Sequence, residues 1–145
     1  MRVCNVISIW PINTPYSVTI LSTDSGGKTL SETFTVAITD VNEAPTVANA
    51  IPDQTIAEDS ALSFQFSSDV FADVDTDESL SYTATLSDGS ALPAWLTFDA
   101  ATRTFSGTPL NENVGAIDVK VTATDSGSVS ITDIFEITVT NTSDA

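Results

Sequence analysis

The sequence predicts an all-β chain built around an antiparallel two-sheet sandwich, and three observations carry that expectation. Apolar residues alternate with polar ones in short runs, no segment sustains a helical period, and turn-forming residues separate the runs at short intervals. Roughly seven short strands in about 100 residues, joined by such turns, suit two packed antiparallel sheets.

Residues 1–15 are ambiguous: Val6, Ile7, Ile9 and Trp10 suit a strand, and Pro11 and Pro15 break it. From Tyr16 the alternation is regular. Val18 and Ile20 share one face, Asp24-Ser25-Gly26-Gly27 supplies a turn, and Phe34, Val36 and Ile38 alternate with Thr33, Thr35, Ala37 and Thr39. This hairpin ends at Asp40-Val41-Asn42-Glu43-Ala44-Pro45, a short acidic joint closed by a proline that cannot extend a sheet ladder. The next runs place Leu62, Phe64 and Phe66, then Leu80, Tyr82, Ala84 and Leu86, on single faces. Thr104 and Phe105 precede a Ser-Gly-Thr-Pro turn. The last two runs then direct Val119, Val121 and Ala123, followed by Phe135, Ile137 and Val139, inward around Asp125-Ser126-Gly127.

The chain also repeats itself. A shift of 101 residues lays Val18 on Val119, Ile20 on Val121, Asp24 on Asp125, Gly26 on Gly127, Phe34 on Phe135, Val36 on Ile137 and Ile38 on Val139 without a gap. Residues 1–45 therefore read as the last two strands and linker of an incomplete preceding repeat, and 46–145 as a whole domain. The first hairpin lacks the strands that would cover its apolar face. Either the chain is a fragment of a longer tandem array, or the hairpin docks on the full domain or on another chain.

Twenty acidic residues against four basic ones give a net charge of −16. Nucleic acid and anionic membrane surfaces are repelled by it, whereas cations are attracted. The same charge also suits the solvated surface of a protein from salty surroundings. Cys4 stands alone, so no internal disulfide forms, and a fold outside the cell must be held in another way, bound metal being one. No apolar run approaches the roughly 20 residues of a membrane helix. The N-terminal MRVCNVISIW makes a poor signal peptide, interrupted by Asn5 and stopped by Pro11 with no small-residue cleavage pattern behind it.

Oxygen ligands gather in two places. The joint holds Asp40, Asn42 and Glu43, and the stretch 67–79 holds Asp69, Asp73, Asp75, Asp77 and Glu78 with no Lys or Arg among them. Carboxylates that close repel one another unless a cation neutralises them, and Ca²⁺ takes about 6 to 8 oxygens at about 2.3–2.6 Å. Loops from alternate connections of a sandwich cluster at each end, so the joint, the acidic loop and the turn at Asp125 are expected to converge. The plainer alternative is a solvated acidic loop with structural Asx turns.

These residues resemble a known family. Asp40-Val41-Asn42-Glu43-Ala44-Pro45 looks like the inter-repeat calcium linker of cadherin-like domains, in the variant common in bacterial surface proteins. Leu92-Pro93-Ala94-Trp95-Leu96-Thr97-Phe98-Asp99, with Thr102-Arg103-Thr104-Phe105-Ser106-Gly107-Thr108-Pro109, is similar to the dystroglycan-type cadherin-like module, an Ig/cadherin-like sandwich. The resemblance spans residues 46–141 as a whole module and residues 16–45 as the tail of a predecessor. It implies Ca²⁺ as cofactor, with Asp40, Asn42 and Glu43 as linker ligands, Asp73 and Asp75 as an Asp-x-Asp pair, and Asp125 as the ligand from the late turn. It makes Asp24 the counterpart of Asp125, and Glu58 the early glutamate that reaches the following joint. The chain departs from the pattern at Glu43, where the usual linker has a second aspartate, and at Ala44, where it has an asparagine. The glutamates of a complete preceding repeat are also absent, which implies a weak or partly filled joint.

The function so implied is a calcium-stiffened repeat of an extracellular adhesin or surface stalk. Its expected partners are neighbouring repeats of the same protein, with a cell-surface protein or polysaccharide as further candidates. The alternative from the same resemblance is a carbohydrate-binding module of a secreted polysaccharide-handling protein, although Trp10 and Trp95 are the only tryptophans and no spaced row of aromatics forms a sugar platform. Trp95, Leu96, Phe98 and Phe105, around the turn Asp99-Ala100-Ala101-Thr102, are read as a core plug with a hairpin. The residue inventory argues against an enzyme. With no histidine, Ser-His-Asp triads, Cys-His pairs and histidine zinc sites are excluded, and the acids crowd into hydrophilic loops rather than the contrasting environments a glycosidase needs.

Overall fold

The computed structural model describes residues 15–39, 41–75 and 79–143; Asp40, Asp77, Glu78 and the strand-like segment around Trp10 lie outside them. The chain divides into two compact units, Met1–Val41 and Asn42–Ala145. No helix among the described residues is long and apolar enough to cross a membrane.

The first unit contains a hairpin of β1 (Tyr16–Thr23) and β2 (Thr29–Val36), with Val18 opposite Phe34 and Ile20 opposite Glu32. The pleat sorts its two faces. Tyr16, Val18, Ile20, Leu30, Phe34 and Val36 fall on one with Ser22 and Glu32, and Ser17, Thr19, Ser31, Thr33 and Thr35 fall on the other with Leu21; there the Thr19 and Thr33 hydroxyls share a hydrogen bond of 2.8 Å. Asp24 makes the turn: its Oδ1 accepts the amides of Gly26 and Lys28, each at 2.9 Å, and Gly27 supplies the left-handed residue at φ +83°.

The second unit runs through β3 (Thr46–Val47), β4 (Gln54–Ala57), β5 (Leu62–Gln65), β6 (Phe71–Ala72), β7 (Ser81–Leu86), β8 (Leu96–Asp99) and β9 (Thr104–Gly107). A 3-10 turn at Asn111–Asn113 leads into β10 (Gly115–Thr124) and β11 (Ser130–Thr140). One sheet has the order β4-β11-β10-β7 and the other β5-β9-β8, with a short β3-β6 ladder beside them. This is the β-sandwich expected from the alternation, with one pair running the other way. β4 lies parallel to β11, Gln54 opposite Ile137 and Ile56 opposite Val139, a pairing that the rest of the domain serves as a crossover.

The core lies between the sheets. Val119, Val121 and Ala123 of β10 and Phe135, Ile137 and Val139 of β11 are buried, together with Leu62, Leu96 and Phe105 from the three-stranded sheet. Phe135 packs on Phe105 at 5.4 Å and on Phe64 at 5.8 Å between ring centroids, and Phe98 stacks on Phe105 at 4.5 Å. Trp95 packs half-buried against the same cluster, so the Trp95–Phe105 stretch is a core plug.

The internal repeat extends to the backbone. β10 and β11 pair in the register of β1 and β2 displaced by 101 residues, Val119 opposite Phe135 and Val121 opposite Asp133. The turns agree as well. The Lys28 amide donates to Asp24 Oδ1 at 2.9 Å, the Val129 amide donates to Asp125 Oδ1 at 2.8 Å, and Ser128 at φ +69° stands where Gly27 does. The two hairpins differ at one end: β2 stops at Val36, while β11 continues to Thr140 along its ladder with β4.

Candidate metal site

β10 ends at Thr124, and the chain turns at Asp125, which is only 5% exposed. Its Oδ1 is used by the turn, and its Oδ2 accepts a hydrogen bond of 3.0 Å from Asn42 Nδ2. That amide nitrogen also donates to the Glu43 carbonyl at 3.1 Å, which bends the joint toward the turn. The Asn42 side chain rests on Gly127, where a Cβ would come within 2.5 Å of Asn42 Oδ1, so any larger residue there displaces that side chain.

The contacts continue into the acidic loop. The Glu43 amide donates to Asp75 Oδ2 at 3.0 Å, and the Asp75 amide donates to Asp73 Oδ1 at 3.0 Å, an Asx turn. Buried Phe71 in β6 anchors the start of this loop, and the pairing of Thr46 with Ala72 holds it beside the joint. Asp73 Oδ2 is buried and has no hydrogen-bond partner among the described residues.

Asn42, Glu43, Asp73, Asp75 and Asp125 thus belong to one hydrogen-bonded chain joining three segments far apart in sequence. Asp40 lies outside the described residues, as do Asp77 and Glu78. Asp69 is exposed and offers its backbone carbonyl, not its carboxylate, to Asn49 Nδ2 at 2.9 Å. Among the described residues no three His, Cys, Asp or Glu side chains cluster closely enough to hold a metal ion by themselves, since the carboxylates are spaced by the Asn42 amide and by backbone N–H groups. Asp24 serves only its own turn among the bonds described.

Glu58, just past β4, is 2% exposed. Its Oε1 accepts the Thr142 amide at 2.6 Å and the Thr142 hydroxyl at 3.3 Å, while its Oε2 is buried without a partner among the described residues. An unpaired buried polar group costs about 1–3 kcal/mol, more when it is charged.

Two acids escaped the sequence reading. Asp133 Oδ2 accepts the Ile51 amide at 2.7 Å, and Asp53 Oδ1 accepts the Glu136 amide at 2.8 Å, so the pair fastens residues 51–53 to β11. The readable signal was Asp133 itself, an acid on the strand phase shared by Phe135 and Ile137.

A match to the family described as a putative Ig domain spans residues 44–140. The serine-rich adhesin for platelets of Staphylococcus aureus is 31% identical over 131 residues, a match that covers 88% of this chain and 5% of that protein. The same adhesin from strain USA300 gives the same identity and coverage, so the chain spans about one-twentieth of the length of these curated relatives. Among solved structures, the endo-fucoidan hydrolase MfFcnA4 of glycoside hydrolase family 107 is similar in fold over 89% of this chain and 19% of its own, with a TM-score of 0.50 and 17% identity. With the sandwich in place across the matched residues, the chain belongs to the putative Ig domain family.

Proposed function

We propose that this chain is a calcium-stabilised adhesion or stalk repeat of an extracellular surface protein, a cadherin-like member of the dystroglycan type within the Ig-like family. The observation that carries the calcium reading is Asp73 Oδ2, a carboxylate oxygen buried without a partner among the described residues, in the chain of contacts joining residues 42–43, 73–75 and 125. A cation beside it removes the cost of that unpaired oxygen. The donors on offer are all oxygens: the carboxylates of Asp73, Asp75 and Asp125, the Asn42 amide oxygen, and those expected of Glu43 and of Asp40 just upstream. That set suits a hard cation such as Ca²⁺ rather than zinc, which favours nitrogen and sulfur. An ion held there fastens the segment entering the domain to the loop and the late turn. The same reading assigns buried Glu58 Oε2, unpaired among the described residues, to a joint with the next repeat. Similarity to the staphylococcal adhesin supports the surface location and neighbouring repeats as partners.

The test is thermal melting in millimolar calcium and in chelator at equal ionic strength. Binding to the folded state alone adds about 2.7 kcal/mol at a hundredfold excess over Kd. The expected result is a higher Tm in calcium, with the increment lost in Asp73→Asn; superimposed curves for the parent chain rule the metal role out.

A second reading, sugar binding, is favoured by a cleft of about 400 Å³ beside Trp95, lined also by Leu110, Glu112 and Asn113. A tryptophan beside a carboxylate and an amide is the usual chemistry of a sugar subsite. If polysaccharide quenches the fluorescence of a Trp10→Phe chain saturably, this reading gains over a passive spacer; an unchanged spectrum removes it.

A further inference from the structure

We propose that the apolar face of the β1-β2 hairpin is the docking surface for a three-stranded β-layer of the kind formed by β5, β9 and β8, supplied by another repeat of this family. The proposal rests on family membership and not on calcium, so either reading can fail without the other.

The second unit shows the same surface with its cover in place. β10 and β11 carry the register, turn and inward residue types of β1 and β2, and there Phe135 is 2% exposed against Phe64 and Phe105. The equivalent Phe34 is 45% exposed, Leu30 is 76% exposed, and Ile20, Val36 and Ile38 are exposed with them. The opposite face of the hairpin is Ser and Thr apart from Leu21, whereas Val18, Ile20, Leu30, Phe34 and Val36 share the first, so the cover belongs on that side. A lone two-stranded hairpin is marginal in water, and an apolar stripe of this kind marks a surface that is buried in the working molecule.

Glu32 narrows the choice of occupant. It stands at the register position of Asp133, whose carboxylate takes the Ile51 amide of the segment leading into β4. A cover that offers a backbone N–H at that point satisfies Glu32; a second hairpin of the same kind would set Glu32 against apolar side chains instead. Ile38 likewise aligns with Val139, which pairs with Ile56 of β4, so the occupant brings a strand equivalent to β4 as well.

The test compares amide hydrogen exchange in the full chain with that in an extended chain, in which residues 46–115 are spliced ahead of Pro15 to supply the layer in the order the second unit uses. The amides of Val18, Phe34 and Val36 are expected to slow at least about tenfold in the extended chain, as burial within a cooperative unit requires. Phe34→Asp in the extended chain should undo this protection while β10 and β11 keep theirs. The proposal is overturned if the hairpin exchanges equally fast in both chains. It is also overturned if the hairpin is already as protected as β10 and β11 in the full chain, whether that chain sediments as a monomer or as a dimer.

Discussion

Gly127 and Ser128 make opposite demands on adjacent positions of one turn. Gly127 is there because Asn42 lies against it, and a methyl group would sit 2.5 Å from Asn42 Oδ1. Gly127→Ala should therefore push the exposed Asn42 side chain away from the Asp125 carboxylate, with a loss of about 0.5–1.5 kcal/mol, the net worth of an ordinary hydrogen bond. Urea denaturation of the two proteins measures it. Ser128 adopts φ +69° with a side chain that disfavours it, whereas the matching turn uses Gly27 at φ +83°. Left-handed geometry costs an L-residue about 1–2 kcal/mol, and glycine gives back about 0.5–1 kcal/mol in chain entropy, so Ser128→Gly should gain up to about 1 kcal/mol. A Tm rise of a few degrees is the readout, and a fall would mean that the Ser128 side chain makes a contact worth more than the strain.

The two hairpins offer an internal control at the level of elements. Phe135→Ala opens a cavity between the sheets and should cost about 3–5 kcal/mol, while Phe34→Ala, at an exposed position, should change the stability of the second unit by less than about 0.5 kcal/mol. Denaturant curves followed by Trp95 fluorescence in a Trp10→Phe background report that unit directly. Equal losses would place Phe34 in the core of the second unit and contradict the division of the chain. The long elements were legible because period-2 alternation over eight or more residues, as in β1, β2, β10 and β11, leaves one consistent face. β3 and β6 hold only two residues each, too few to show a period, and they owe their pairing to buried Phe71 and to the turn beside it. The parallel ladder of β4 on β11 joins residues about 80 apart, and nothing local encodes such a pairing. Within the site, the acid composition drew attention to the loop, but composition could not separate Asp73 and Asp75, which point into the contact chain, from Asp69, whose carboxylate does not. Asp53 and Asp133 were overlooked for the converse reason, since they are single acids that satisfy backbone N–H groups rather than members of a cluster.

At the scale of the molecule the dominant feature is charge. With −16 on 145 residues, any salt should raise stability gradually by screening repulsion between carboxylates. A specific calcium site adds a saturable increment on top, one that an equal concentration of magnesium fails to reproduce, because magnesium holds its waters and demands a tighter octahedral shell. Titration of calcium into ¹⁵N-labelled protein at fixed ionic strength, followed amide by amide, is the most direct measurement of whether ions join the three segments. The expected result is that the signals of Asn42, Glu43, Asp73, Asp75 and Asp125 move together and saturate at one midpoint, while those of Phe98 and Phe105 stay in place. Scattered shifts that never saturate, or no shifts at all at these five residues, would contradict it and leave an Ig-like domain whose acidic contacts serve the fold alone.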